Sequence, residues 1–196
     1  YTSSHPGGTV ISPLRPDQPS VFSATGRRGT RFQGLTLRGT LPAQRDAEHV
    51  WENELNDVKE TMCGIHVEQG GDQCVIDDCR IELFTGSGVK FQNAGVWTIR
   101  NSLIQFNRFH GVDAAGSCDC WVIDSMLTRN GEAGILAQAS MSIAGNRIEW
   151  NYRAGILLTP RYAQWIQISG NTFCANGGPA LEAVVQRPLE LEISAW

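Results

Sequence analysis

No apolar run in this 196-residue chain approaches the roughly 20 residues that a membrane-crossing helix requires, so no membrane span is expected. Basic runs are missing as well. Lys and Arg number 16 against 20 Asp and Glu, a formal net charge of −4, which speaks against a nucleic-acid partner. The six cysteines form no compact disulfide framework: Cys63, Cys74 and Cys79 fall in one repeat, Cys118 and Cys120 in one turn, and Cys174 stands apart. The C-x-C at Cys118 is not a zinc spacing and no His cluster completes it, so no metal site is assigned and the cysteines read as small buried apolar side chains. No initiating Met or signal peptide opens the chain. It starts at Tyr1 in mid-pattern and is expected to be a piece of a longer protein. Nor does any residue set match a named catalytic motif.

What is present is repetition. "GIHVEQGGDQCVIDDCRI" begins at Gly64, and variants of it restart at Gly88, Gly111, Gly134 and Gly155, in steps of 24, 23, 23 and 21. A period of 20 to 25 residues points to a solenoid. After each glycine the pattern alternates. Ile65, Val89, Val112, Ile135 and Ile156 make one column, and Val67, Phe91, Ala114, Ala137 and Leu158 make another two residues on. Period two means a strand with one buried face. A second strand aligns Ile76, Ile99, Ile123, Ile143 and Ile168, preceded on the same face by Cys74, Trp97, Trp121, Met141 and Ile166. A third carries Ile81, Ile104, Leu127, Ile148 and Phe173. Polar corners follow: Asn146 and Asn171 before the third strand, and Asn107, Asn130, Asn151 and Asn176 after it. Asn tolerates left-handed backbone, and stacked amides can bond from coil to coil. Three short strands per turn make a triangular coil. The spaced leucines and helical half of a leucine-rich repeat are absent, so the expectation is all-β: a parallel β-helix of six to seven coils.

On these columns, residues 26 to 196 resemble the right-handed, single-stranded parallel β-helix of the pectate-lyase-like superfamily, as in polysaccharide lyases, glycosidases and phage tailspikes. The upstream "GTVISPLRPDQPSVFSATGRRGTRFQGLTLRG" resembles the lead-in of such proteins, with Phe32, Leu35 and Leu37 in register with the later inward columns. The chain is expected to be one domain, with opening coils in residues 1–40, an inserted loop or helix in 41–62, and regular coils in 63–196. In the insertion Asp46 can cap a short helix whose apolar stripe is Trp51, Leu55, Val58 and Met62, opposite an acidic face of Glu48, Glu52, Glu54, Asp57 and Glu60.

Stacked coils repeat every ~4.8 Å, so outward residues form files along the axis. The file two residues after each glycine reads His66, Lys90, Asp113; the next reads Glu68, Gln92, Ala115, Gln138, Thr159. The resemblance implies a polysaccharide bound in the groove over this first sheet, with Arg108, His110, Glu132 and Arg153 on the turn at its rim. Glycoside hydrolysis wants two carboxyls about 5 to 10 Å apart, for which Asp113 with Glu132 or Glu68 are the candidates. A lyase wants a base beside a uronate carboxyl and a cation to neutralise it, which Lys90, His66 and Arg153 suit. The tyrosine and Asp-Pro-His-Asp pattern of alginate epimerases is missing. Asp77 and Asp78, adjacent on a strand, point to opposite sides and are not a catalytic pair. No cofactor is expected, with calcium left open at Asp119 and Asp124. The leading expectation is thus a glycan depolymerase, hydrolase or lyase, acting outside the cell or on a virion surface, with a homotrimer as its tailspike-like assembly. The alternative is a non-catalytic structural or carbohydrate-binding spike segment.

Overall fold

The computed structural model describes residues 9–13, 19–41, 62–184 and 190–194. These hold 21 strands in three seven-stranded sheets, every pairing parallel and each sheet taking every third strand of the chain. The first sheet runs through Cys63–Val67, Val89–Gln92, Val112–Ala115, Ile135–Ala137 and Ile156–Leu158, with Ser20–Ser23 and Leu181–Ala183 at its ends. The second includes Cys74–Asp77, Val96–Arg100, Asp119–Ile123, Ser140–Ala144 and Trp165–Ser169; the third includes Arg80–Glu82, Leu103–Gln105, Met126–Thr128, Arg147–Glu149 and Thr172–Cys174. Three corners join them, numbered here in the order in which the chain leaves each sheet. No helix occurs among the described residues. The expected insertion lies, apart from Leu41 and Met62, outside them. Its two ends attach to the third corner, where Leu41 N–H donates to Leu83 O and Gly86 N–H to Met62 O.

The inward columns of the first and third strands stack in register, Ile65 on Val89 on Val112 on Ile135, and Ile81 on Ile104 on Leu127 on Ile148. All of these side chains are buried. The column-leading glycines have a steric reason. A Cβ on Gly111 would stand 2.6 Å from the Gly134 carbonyl oxygen, and one on Gly134 2.8 Å from that of Gly155. The coils approach too closely there for any side chain.

Two sequence expectations need correcting. Trp121 and Ile123 do not face the core: Cys120 stacks between Trp97 and Met141, and Val122 between Ile99 and Ile143, so the outward residues are Trp121 and Ile123. Residue 120, not 121, is one 23-residue step beyond Trp97. The left-handed backbone, in addition, falls one residue before each corner amide. On the second corner it is taken by Gly34, Asp78, Asn101, Asp124, Gly145 and Gly170; on the third by Leu83, Phe106, Arg129, Trp150 and Ala175. The buried amides form ladders instead. Asn107 Nδ2 donates to Asn130 Oδ1 (3.1 Å), Asn130 to Asn151 (3.0 Å) and Asn151 to Asn176 (3.0 Å), while each oxygen also accepts the backbone N–H of the Asn one coil earlier. A second ladder passes through Ser102, Ser125, Asn146 and Asn171.

Five cysteines are buried and Cys174 is exposed, all as free thiols. Burial pushes the Cys118 thiol up to about 12 and raises those of Cys79 and Cys120, so these three thiols stay protonated at neutral pH.

Candidate functional site

Strand alternation turns His66, Lys90 and Asp113 outward, and coil stacking sets them side by side on consecutive coils. Lys90 Nζ lies 3.8 Å from Asp113 Oδ2, with both side chains largely covered at 21% and 11% exposure. His66 Nε2 is hydrogen-bonded to Gln92 Oε1 at 3.1 Å, with the amide oxygen accepting. Beyond Asp113 the same file continues as Leu136 and Leu157. With Ser23 beside His66 at the other end, the polar part of the file spans four coils and gives way to an apolar step.

The remaining candidates are distributed around this floor. Glu132 and Arg153 meet on the third corner at 3.1 Å, and that hydrogen bond raises the guanidinium pKa. Asp113 lies against Lys90 and Glu132 against Arg153: two ion pairs, rather than one carboxylate pair. His110 Nδ1 accepts the Ala133 N–H, which ties this ring to the next coil. The Arg108 guanidinium rests over the Phe109 ring at 5.6 Å. Glu68 is exposed just past the end of the Cys63–Val67 strand, its N–H donating to Thr25 Oγ1. Gln138 lines a small cavity of about 290 Å³ with Thr159, Pro160, Arg161 and Val184.

Of the residues considered for calcium, Asp119 opens a strand and Asp124 sits in the corner after it, and the described residues contain no group of three His, Cys, Asp or Glu placed to hold a metal. Asp78 sits in the second corner with a left-handed backbone. Asp77 turns away from it and accepts hydrogen bonds from Arg100, Asn101 and Arg31. The Arg100 hydrogen bond does most to hold the Asp77 carboxyl below its ordinary pKa, against the opposing effect of burial.

One group escaped the sequence reading. On the third corner the left-handed residues Phe106, Arg129 and Trp150 stack outward, the guanidinium of Arg129 lying 5.7 Å from the Phe106 ring centre and 6.0 Å from that of Trp150. Trp150 and Tyr152 are each 47% exposed. One coil further on, their places are taken by Ala175 and Gly177, so both rings project past small residues. The available signal was Trp150 and Tyr152 flanking a ladder asparagine, where the chain has already turned out of the core.

With three parallel sheets, buried amide ladders and outward polar files established, comparison with known families is decisive. The family model for a right-handed β-helix region matches residues 63–192. The chain belongs to the right-handed β-helix family. No curated protein and no solved structure matched it. The β-helix supports a polysaccharide-related or structural role, and no helix of the described residues is long and apolar enough to cross a membrane.

Proposed function

We propose that this β-helix binds a uronate-containing polysaccharide across the outer face of its first sheet and cleaves it by β-elimination. The observation that carries the reading is the Lys90–Asp113 pair: a cation and a base within 3.8 Å on adjacent coils. Elimination needs that combination, whereas hydrolysis wants two carboxyls. Lys90 would neutralise the uronate carboxylate and make the neighbouring carbon more acidic. Asp113 would take the proton from that carbon. Its electron pair becomes the new C=C bond, the glycosidic C–O bond breaks, and the departing oxygen takes a proton from His66 or water. Arg153 with Glu132, and the Trp150 and Tyr152 rings, would hold the chain at the third corner.

A binding role without cleavage is the second reading, favoured by the low exposure of Asp113, 8% for the whole residue. In either case the resemblance to pectate-lyase-like proteins supports work outside the cell or on a virion, with trimer assembly as a further proposal. The test measures binding to anionic and neutral bacterial polysaccharides, together with formation of the ultraviolet-absorbing unsaturated product. Asp113→Asn should keep the fold and reduce cleavage at least a hundredfold. Unchanged product formation would remove Asp113 from the chemistry, and tight binding with no product from either protein would leave the non-catalytic role.

A further inference from the structure

The first corner varies in length from coil to coil. It takes six residues at 68–73, three at 93–95, three at 116–118, two at 138–139 and six again at 159–164. Two protruding loops thus flank three flush turns. Between them lies a recess of about 350 Å³, at the small end of ligand pockets. Its length spans the coils from Asp72 to Trp165, four steps of ~4.8 Å or about 19 Å.

The floor is the outward file that begins the second sheet: Val96, Asp119 and Ser140 in register, continued by Trp165 beside the paired Ile166. Trp165 is braced from behind by Trp121, at 6.0 Å between ring centres. The upper wall is Tyr162, 52% exposed, and Gln164, whose backbone N–H is anchored on Ser140 Oγ at 3.0 Å. The lower wall is Asp72, held by Arg28 at 3.0 Å. Among the described residues no Lys or Arg lines the recess, and the side chains of Asp119 and Gln164 make no hydrogen bond with them. Carboxylate and amide groups facing aromatic rings suit a ligand with many hydroxyls around an apolar ring face. The Asp119 carboxylate, which has no ion-pair partner among the described residues, disfavours an anion.

We propose that this recess is a second saccharide site, separate from the first-sheet face, and that it takes a neutral hexopyranose unit of a glycan. The ring's apolar face lies against Tyr162 and Trp165, while its hydroxyls donate to Asp119 and exchange hydrogen bonds with Gln164 and Ser140. The site does not depend on cleavage or on the Lys90–Asp113 pair.

Calorimetric titration of the full chain with cellobiose, maltose, lactose and chitobiose, and with digalacturonate as the anionic comparison, tests it. At least one neutral disaccharide should bind saturably at millimolar concentration. Tyr162→Ala and Asp119→Ala should each weaken that binding at least tenfold, Tyr162→Phe should keep most of it, and Asp113→Asn should leave it unchanged. Absence of binding by all four neutral sugars, binding indifferent to both alanine variants, or preference for digalacturonate would overturn the proposal. Loss of neutral-sugar binding in Asp113→Asn would transfer the binding to the first-sheet face and overturn it too.

Discussion

The second and third corners make the same backbone turn with opposite kinds of residue. Each places one left-handed residue per coil, followed by a ladder position. On the second corner the left-handed residues are Gly34, Asp78, Asn101, Asp124, Gly145 and Gly170, the types that tolerate this conformation. On the third they are Leu83, Phe106, Arg129, Trp150 and Ala175, for which it costs roughly 1 kcal/mol or more each. At the second corner the backbone selects the residue. At the third, side-chain demands override the backbone, and Arg129 between two rings shows what the strain holds in place. This strain is maintained over several coils of the third corner.

The ladders give the strongest way to break this comparison. Asn130→Ala removes the acceptor of two Asn107 donors, and both are left buried. The loss should be about 3 kcal/mol of unfolding free energy, measured by denaturant titration. Ser125→Ala on the second corner strands only the Ser102 N–H and should cost about 1 kcal/mol. Equal losses would mean that the corners do not differ in how firmly they are held.

Acid provides a smaller and shared perturbation. Each corner is preceded by a mostly buried carboxylate, Asp77 on one side and Glu82 on the other. Burial opposes ionisation of Glu82, but hydrogen bonds from Gln105, Arg80 and Arg38 outweigh it, and its pKa lies below the ordinary value, as does that of Asp77. A depressed folded-state pKa gives stability that is present above the unfolded value and lost as pH falls through the folded one. Thermal midpoints should therefore fall as pH drops below about 4, near the ordinary carboxylate range. Asp77→Asn should be less stable at neutral pH and show a flatter acid limb. An unchanged limb would remove Asp77 from the acid response.

The smallest effects have opposite signs. Gly145→Ala forces an L side chain into a left-handed position against the Asp124 carboxylate and should cost about 1 kcal/mol. Ala175→Gly, at an exposed position with φ of 50°, should gain about 0.5 kcal/mol by releasing strain. A loss at Ala175 would show that third-corner strain is compensated locally even where no ring is held.

Much of the coil could be read from the sequence because its period controls burial. Columns such as Ile65, Val89 and Val112 are fixed by constant spacing, and so is the outward order His66, Lys90, Asp113. Trp121 was misplaced because its size resembles Trp97, although the 23-residue step points to Cys120. Side-chain partners were less legible, since spacing sets neighbours but not rotamers. His66 reaches diagonally to Gln92, and Glu132 is held by Arg153 rather than turned toward Asp113. The recess on the first corner was encoded in unequal turn lengths, a signal that a search for sameness passes over.

Because every strand hydrogen-bonds only to the coils above and below, the molecule is mechanically one-dimensional. A pull along the axis loads the coil interfaces in series, and the loosest must yield first. Among the described strands, those at both ends of the stack bury none of their residues, Thr9–Ile11 and Ser20–Ser23 at one end and Leu181–Ala183 and Glu190–Ser194 at the other, whereas the coils between them carry the buried core. A force across the axis is instead shared among neighbouring coils through the two side-chain ladders. The same architecture is therefore brittle when stretched lengthwise and tough in shear, so its resistance depends on the direction of the applied force.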